Sequence, residues 1–266
     1  MQLNNIEHLS DSDWEFYLSY KPAKKYVNYI LETISTPGFD IGQLKKIIQW
    51  YATCTSGTIF ENIKPIEKNY LFYRARIYDR SKDIHYGKGK DNTPFKGYDA
   101  EASFLPPTNC LSAGRANKQG IPCLYVANNI YTAVSETFKT PSDQISVATI
   151  SLKEHLYVLK LAQLYSAVSV GIEQRTLWAQ NFALEITRLF QTPTLPNSNT
   201  YLVCQAISKI ICDLDLDGIT FYSSKASEIR GNEPNVNIAI FSPQKCEAIS
   251  SKIVFASDIL KEGKNG

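Results

Sequence analysis

The sequence of 266 residues suits one large domain, or a compact domain with an extension. It carries 28 basic and 26 acidic residues, and the net charge of +2 gives no electrostatic argument for a nucleic-acid or membrane partner. Residues 1–10 lack the apolar core of a signal peptide, and no apolar run reaches the roughly 20 residues that cross a bilayer. We therefore expect a soluble, cytoplasmic protein.

The six cysteines and three histidines show no metal-binding spacing. No cysteine pair has the Cys-x-x-Cys pattern, and the histidines are scattered, so we expect free thiols and no metal. The chain also lacks a Gly-rich phosphate loop, a Gly-x-Ser-x-Gly elbow and a His-Glu-x-x-His motif. Their absence argues against a kinase, a P-loop NTPase, a serine hydrolase and a zinc protease.

The first 65 residues predict helices. Ser12 and Glu15 have capping-box spacing at a helix start, and Pro22 suits the first turn of a second helix. Asp40 is placed to cap a third helix. Apolar residues recur at helical spacing, so we expect this N-terminal region to pack on the rest of the chain, to mediate oligomerisation as a homodimer, or to regulate activity.

Residues 70–78 alternate like a strand and are rich in aromatic residues. The alternation places Phe72, Arg74 and Arg76 on one face, and Tyr73 and Ala75 on the other. Partly buried guanidinium groups need anionic partners, and a diphosphate fits their planar fork. Salt bridges with Asp or Glu on the strand surface are the alternative. The Gly- and Lys-rich residues 79–120 predict a long loop region.

Two further patterns follow this loop. Residues 114–117 place Arg115 in a glycine-flanked turn that leads into the strand Leu124–Ala127, although an ordinary turn would have the same sequence. Asn128 or Asn129 then caps a helix that we predict to run to about residue 140. Glu136 lies off its apolar face, where it borders a cleft or, as most glutamates do, faces solvent.

The rest of the chain mixes strands and helices. We predict strands at 144–150, 155–161, 218–223 and 235–241, and helices at 172–190 and 200–214. Ser223 ends one of these strands, where a serine can orient an amide or a ribose hydroxyl or simply form a turn. Because no regular βαβ repeat is present, an α+β fold is favoured over a doubly wound sheet.

The order of these patterns resembles the RES domain family, named for its Arg, Glu and Ser. An aromatic-Arg strand precedes a GR-x-N…G-x-P-x-L-Y-x-A segment, which precedes a helix with Ala-x-x-Glu. A G-I-x-aromatic-x-S strand and an N-x-x-x-F stretch follow. The resemblance covers about residues 70–245. It implies a mixed-sheet fold like that of ADP-ribosyltransferase toxins, here in residues 66–266 after the helical residues 1–65.

The resemblance also implies a function. RES domains are toxins that deplete NAD⁺ by hydrolysis or phosphorolysis, need no further cofactor, and are neutralised by a cognate antitoxin. Carried over to this chain, the two family arginines fall on Arg74 and Arg115, the glutamate on Glu136 and the serine on Ser223. Tyr125 occupies the aromatic position of the family strand.

Several assignments stay open on the sequence alone. The family serine could be Ser224 instead of its neighbour, Arg76 competes with Arg74, and Asn117 is a further candidate for binding NAD⁺. Tyr73 or Tyr125 could stack on the nicotinamide. We expect Glu136 to stabilise the positive charge that develops on the ribose, while the arginines hold the diphosphate.

Three alternatives compete with this interpretation. A mono-ADP-ribosyltransferase would use the same chemistry with a protein acceptor. Arg80 and His85 have the spacing of HEPN ribonucleases, but they fall in the predicted loop, and the near-neutral charge disfavours an RNA enzyme. A non-catalytic interaction module is the third alternative.

Overall fold

The computed structural model describes residues 9–53, 62–79, 94–105, 111–161, 174–192, 195, 197–226 and 234–261. The chain divides into two compact units. The first unit comprises residues 1–64, 112–119 and 157–221, and the second comprises residues 65–111, 120–156 and 222–266. The predicted division into a helical region 1–65 and a domain 66–266 stays a prediction.

In the described part of the chain the elements follow in this order: α1 (Asp11–Ser19), α2 (Lys24–Thr33), α3 (Ile41–Thr53), β1 (Ile63–Ile66), β2 (Leu71–Ile77), α4 (Ala100–Ser103), β3 (Leu124–Ala127), α5 (Ile130–Thr137), β4 (Gln144–Leu152), β5 (Leu156–Lys160), α6 (Gln174–Gln191), α7 (Asn199–Cys212), β6 (Gly218–Tyr222), β7 (Val236–Ile240), β8 (Cys246–Phe255) and α8 (Ala256–Lys261). Helices mix with parallel and antiparallel strands, which confirms the α+β class. Among these described helices, none is long and apolar enough to cross a membrane.

The N-terminal helices begin where side chains cap them, with one change from the prediction. Ser10, in extended backbone, accepts from the Asp13 N–H at 3.2 Å, and Asp13 accepts from the Ser10 N–H at 3.0 Å. The predicted Ser12 capping box is wrong because Ser12 already lies inside α1. Asp40 does cap α3, since it accepts from the Gly42 N–H at 2.8 Å.

Two other helix predictions also need correction. The second helix begins at Lys24, with Ala23 as its N-cap, so Pro22 lies before its first turn. The helical prediction for the first 65 residues is wrong at its end, because the strand Ile63–Ile66 begins there. The main chain just before this strand pairs with β5, because the Lys160 N–H donates to the Asn62 carbonyl at 2.8 Å.

The core of the first unit is an aromatic cluster between the N-terminal helices and α6. Tyr17 and Tyr26 are almost fully buried, and their rings lie 5.4 Å apart. Trp178 on α6 stacks on Phe182 with ring centroids 5.6 Å apart. Burial raises the pKa of both tyrosines, so each keeps its proton. Large aromatic side chains of this kind contribute much of the buried apolar area, which explains why the N-terminal helices pack on α6.

The second unit contains an antiparallel sheet in the order β7-β3-β2-β4-β8. Tyr73 and Ala75 of β2 pack against a buried cluster that includes Val134 of α5. Phe72 is buried as well, on the alternate side of the strand. The predicted division of β2 into two faces is therefore confirmed, and α5 lies on the Tyr73 face.

The long predicted strands and helices exist, with ends shifted by one to two residues. The helix that carries Glu136 is an exception, because it ends at Thr137, where Phe138 adopts extended backbone, and not near residue 140. β8 and α8 were not predicted. A register shift between Thr149 and Ile150 accompanies the β4–β8 pairing, and such a bulge disturbs the alternation that marks a strand in a sequence.

Candidate active site

Glu136 stands in the last turn of α5. The helix starts at Asn129, whose side-chain oxygen accepts from the Thr132 N–H at 2.7 Å. Ala133 and Val134 are buried against the sheet, whereas Glu136 is half-buried. The cap and the apolar face therefore fix the helix, and the helical rotation between residues turns Glu136 away from the core.

The Glu136 carboxylate is held at one oxygen by two donors. Its Oε1 accepts from Ser223 Oγ at 2.6 Å and from Asn237 Nδ2 at 2.8 Å. Within the part of the chain that the structure describes, no hydrogen bond reaches Oε2. Two hydrogen bonds to one oxygen restrict the rotation of the carboxylate.

Ser223 owes its orientation to the turn that follows β6. Its Oγ accepts from the Lys225 N–H at 3.2 Å and from the Ala226 N–H at 2.9 Å. Because these donors occupy the lone pairs of the hydroxyl, its own hydrogen points to Glu136. Ser224 is exposed and does not share these contacts. The geometry favours Ser223 in the choice that the sequence left open.

Lys225 closes the end of the Glu136 helix. Its exposed Nζ donates to the main-chain oxygen of Glu136 at 2.9 Å. A lysine at this position satisfies a carbonyl that has no partner inside the helix and complements the negative end of the helix dipole. The strand-end turn of residues 223–226 thus contacts both the side chain and the main chain of Glu136.

Arg74 and Arg76 lie on the alternate side of β2 from Tyr73. Arg74 donates to the Ser103 carbonyl at 3.4 Å, and Arg76 donates to the Ala102 carbonyl and stands over the Tyr98 ring at 5.3 Å. Burial, and then the charge of Arg76, lower the pKa of Arg74 to about 10, so Arg74 is cationic at neutral pH. Neither arginine forms a carboxylate ion pair within the described residues, so the surface salt bridges considered from the sequence are not seen there.

The two tyrosines predicted to bind NAD⁺ are both partly buried in the sheet of the second unit. Tyr73 pairs with Ala127 and packs on the α5 cluster. Tyr125 pairs with Ala239, and its side chain interacts with the thiol of Cys123, whose pKa burial raises to about 12. Their predicted stacking on nicotinamide stays a prediction.

Arg115 and Asn117 belong to the first unit, where they form a tight turn. The Gly114 N–H donates to the Asn117 carbonyl at 3.0 Å. Gln205 of α7 donates to the carbonyls of Gly114 and Asn117 at 2.9 and 3.0 Å. Arg115 donates to the Phe190 carbonyl in α6. The predicted roles of Arg115 and Asn117 in binding NAD⁺ stay predictions.

The structure brings Glu136 and Ser223 together and adds Asn237, which had not been predicted as a site residue. Asn237 is the first residue of the N-x-x-x-F stretch, so the sequence pointed to it. An asparagine beside a strand is, however, also a common turn residue, and the pattern alone did not mark it as a site residue. Among the described hydrogen bonds, none joins Arg74 to Glu136. The described residues include no cluster of three or more His, Cys, Asp or Glu side chains that could hold a metal ion. Arg80 and His85 lie outside the described residues.

Comparison with known proteins identifies a family. The model of the RES domain matches residues 72–259 of this chain. No curated protein matches the sequence. A solved structure of the M. tuberculosis MbcT–MbcA toxin–antitoxin complex contains a chain 13% identical to this one, with a TM-score of 0.45. That match covers 82% of this chain and 95% of the other.

Proposed function

The chain belongs to the RES domain family, and we propose that it cleaves the bond between nicotinamide and ribose in NAD⁺, with Glu136 at the reacting centre. The observation that carries the proposal is the Glu136 carboxylate, anchored through Oε1 by Ser223 and Asn237. A fixed carboxylate beside the carbon that becomes positively charged stabilises the transition state of such a glycosidic cleavage.

The proposed chemistry is a substitution at C1′ of the nicotinamide ribose. As the bond from C1′ to the pyridinium nitrogen breaks, its electron pair goes to that nitrogen, and neutral nicotinamide leaves. The ribose acquires oxocarbenium character, and the negative charge of Glu136 stabilises it. Water then forms the new C1′–O bond and loses a proton to Glu136 or to solvent, which leaves ADP-ribose, nicotinamide and a proton as products.

Ser223 and Asn237 keep the carboxylate in one orientation during this step. Oε2 is the oxygen that we place toward the ribose or the attacking water, because Oε1 already accepts two hydrogen bonds. Positioning of this kind removes rotational freedom before the reaction begins and therefore lowers the barrier. Ser223 could in addition exchange its bond to Glu136 for one to a ribose hydroxyl.

We assign binding of the diphosphate to Arg74, as the family resemblance implies. Arg74 is cationic, partly buried and bonded only to a neutral carbonyl oxygen within the described residues, at the long distance of 3.4 Å. A phosphate oxygen is a stronger acceptor for a guanidinium than a carbonyl oxygen is. A phosphate group at Arg74 would therefore bind more strongly than the Ser103 carbonyl does. Arg74 lies on the face of β2 opposite to α5, so its assignment to the diphosphate rests on the family resemblance.

We further propose that the protein acts as the toxin of a toxin–antitoxin pair, since that is the role the family resemblance implies. Expression of the wild-type chain in bacteria should then arrest growth and deplete cellular NAD⁺, and Glu136→Gln should relieve both effects. Growth arrest that persists in the Glu136→Gln strain at equal protein level would separate toxicity from NAD⁺ cleavage and contradict the proposal.

The direct test follows the atoms of NAD⁺. Purified protein should release free nicotinamide from NAD⁺ labelled in the nicotinamide ring, and label in the adenine should appear in ADP-ribose. Adenine label on a protein would instead identify a mono-ADP-ribosyltransferase, and label in a phosphorylated ADP-ribose would identify phosphorolysis. The absence of nicotinamide release under all these conditions would refute cleavage of NAD⁺ and support a non-catalytic module.

A further inference from the structure

Asn235 stands between the two elements that carry Glu136 and Ser223. It is 5% exposed and lies in the segment that enters β7, two residues before Asn237. It contributes its side-chain amide and its main-chain carbonyl to separate hydrogen bonds. A buried asparagine is costly unless its polar atoms are satisfied, so its partners are informative.

One side of Asn235 binds the start of α5. Its Oδ1 accepts from Thr132 Oγ1 at 2.9 Å and from Asn129 Nδ2 at 3.1 Å. Asn129 is the N-cap of the helix, and Thr132, which is fully buried, stands in its first turn. These bonds fix the helix that carries Glu136 at the end opposite to the carboxylate.

The other side of Asn235 binds the turn that carries Ser223. Its Nδ2 donates to the Ala226 carbonyl at 3.2 Å, and its main-chain oxygen accepts from the Ser223 N–H at 2.9 Å. The Ala226 N–H in turn donates to Ser223 Oγ at 2.9 Å. The serine that binds Glu136 is therefore held on both sides by groups that depend on Asn235.

We propose that Asn235 and Thr132 are positioning residues that set the distance between Ser223 and the Glu136 carboxylate. Asn235 bonds to the helix of Glu136 and to the turn of Ser223, and it fixes the start of the strand that carries Asn237. The hydrogen bonds of Asn235 and Thr132 described above join the start of α5 to the turn of Ser223, so these residues act through Ser223 and Glu136. The inference rests on the proposed function, because it assigns a support to the same reacting centre.

The first test removes one hydroxyl from this support. Thr132→Val keeps the shape of the side chain and deletes the donor to Asn235. We expect kcat for nicotinamide release to fall about tenfold, with little change in KM, because a small displacement of a reacting group costs rate more than binding. Thr132→Ser keeps the hydroxyl and should restore most of the rate. Asn235→Ala should have a larger effect, a loss of about 100-fold.

Thr187→Val is the matched control. Thr187 is a buried threonine of α6 in the first unit, whose hydroxyl donates to the Leu161 carbonyl at 2.7 Å and to the Ala183 carbonyl at 2.8 Å, whereas Glu136 and Ser223 belong to the second unit. Loss of this hydroxyl should destabilise the fold, as measured by urea denaturation, yet change kcat per folded molecule less than Thr132→Val does. A double variant, Thr132→Val with Ser223→Ala, should lose little beyond Ser223→Ala alone, because the serine to be positioned is gone.

The outcomes separate this inference from the proposed function. No nicotinamide release from the wild-type protein would refute the function itself. An active wild type with Thr132→Val or Asn235→Ala equally active per folded molecule would refute only the positioning role. Failure of Thr132→Ser to restore kcat, or full additivity in the double variant, would also overturn it.

Discussion

Removal of the Asn237 side-chain amide measures how much one hydrogen-bond donor to Glu136 contributes to the proposed cleavage of NAD⁺. Asn237→Ala deletes the 2.8 Å hydrogen bond to Glu136 Oε1 and leaves the 2.6 Å bond from Ser223 in place. Asn237 is partly exposed at the start of β7, where its main chain pairs with Ala127, so the strand should survive the change. The carboxylate would retain its charge and lose half of its anchoring at Oε1.

The expected magnitude follows from the kind of hydrogen bond. A bond to a charged group contributes about 1.5–3 kcal/mol when buried, and partial exposure of both residues reduces this to about 1–2 kcal/mol. At about 1.4 kcal/mol for each factor of ten, kcat/KM for NAD⁺ should fall by about 5- to 30-fold. The loss should lie mainly in kcat, because Asn237 orients the carboxylate and is not assigned a contact with the diphosphate.

The assay is nicotinamide release from NAD⁺ at a fixed concentration of folded protein. Asn199→Ala provides a matched control, since it deletes one asparagine bond of similar length, the 2.7 Å bond to the Leu31 carbonyl in the first unit. That control should keep kcat/KM within about twofold of wild type, as expected for a site that binds no reacting group. Asn237→Ala with undiminished kcat would refute the anchoring role of Asn237.

Three further predictions concern stability. The hydroxyl of Ser135 is buried and has no hydrogen-bond partner within the described residues. Ser135→Ala should therefore raise the free energy of unfolding by about 1 kcal/mol, as measured by urea denaturation. A decrease would show that the hydroxyl has a partner. A methyl group at Gly97 would overlap Ser146 Oγ, which accepts from the Tyr98 N–H at 2.9 Å. Gly97→Ala should therefore lower the free energy of unfolding by about 1–3 kcal/mol in the same assay. An unchanged urea midpoint would contradict that packing. Hydrogen bonds from the Thr140 main chain and hydroxyl and from the Lys139 main chain lower the pKa of Asp143 below 3.8, so its stabilising effect is present above that pH and is lost as the pH falls. The thermal midpoint of Asp143→Asn should therefore fall less than that of wild type as the pH is lowered. The same pH profile in both proteins would contradict this role of Asp143.

The chemistry of the site was partly predictable because it depends on local patterns. The alternation in residues 70–78 correctly divided β2 into two faces, and the asparagines before α5 correctly marked its start. The helical period also turned Glu136 away from the apolar face. These features depend on residues within a few positions of one another, where periodicity and capping chemistry are informative.

The partners of Glu136 could not be derived from such patterns. Ser223 and Asn237 are 87 and 101 residues away along the chain, and their approach depends on how strands pair in the sheet. The role of Asn235 could not be predicted either, because an asparagine before a strand has the sequence signature of a simple turn. The family resemblance supplied Ser223 and included Asn237 in its N-x-x-x-F stretch, but only the structure places Asn237 against Glu136 and Asn235 against Ser223.

The predicted helix start at Ser12 shows how a local rule can fail. Ser10 and Asp13 share the spacing of Ser12 and Glu15, so both pairs satisfy the capping pattern. The structure selects the earlier pair, and Asp13 then also binds Lys46 of α3 at 3.0 Å. A contact between helices thus accompanies the chosen cap, and no pattern within α1 contains that information.

The central claim is that the Glu136 carboxylate promotes cleavage of the nicotinamide bond, and Glu136→Gln tests it most directly. The glutamine keeps the size of the side chain and an oxygen that can accept from Ser223 and Asn237, but it removes the negative charge. Glu247→Gln, a matched change at an exposed position of β8, serves as the control. We predict that wild-type protein and the control release nicotinamide from NAD⁺ at equal rates, and that Glu136→Gln lowers the rate at least about 100-fold with an unchanged unfolding midpoint. Equal nicotinamide release from folded Glu136→Gln and wild-type protein would contradict the claim.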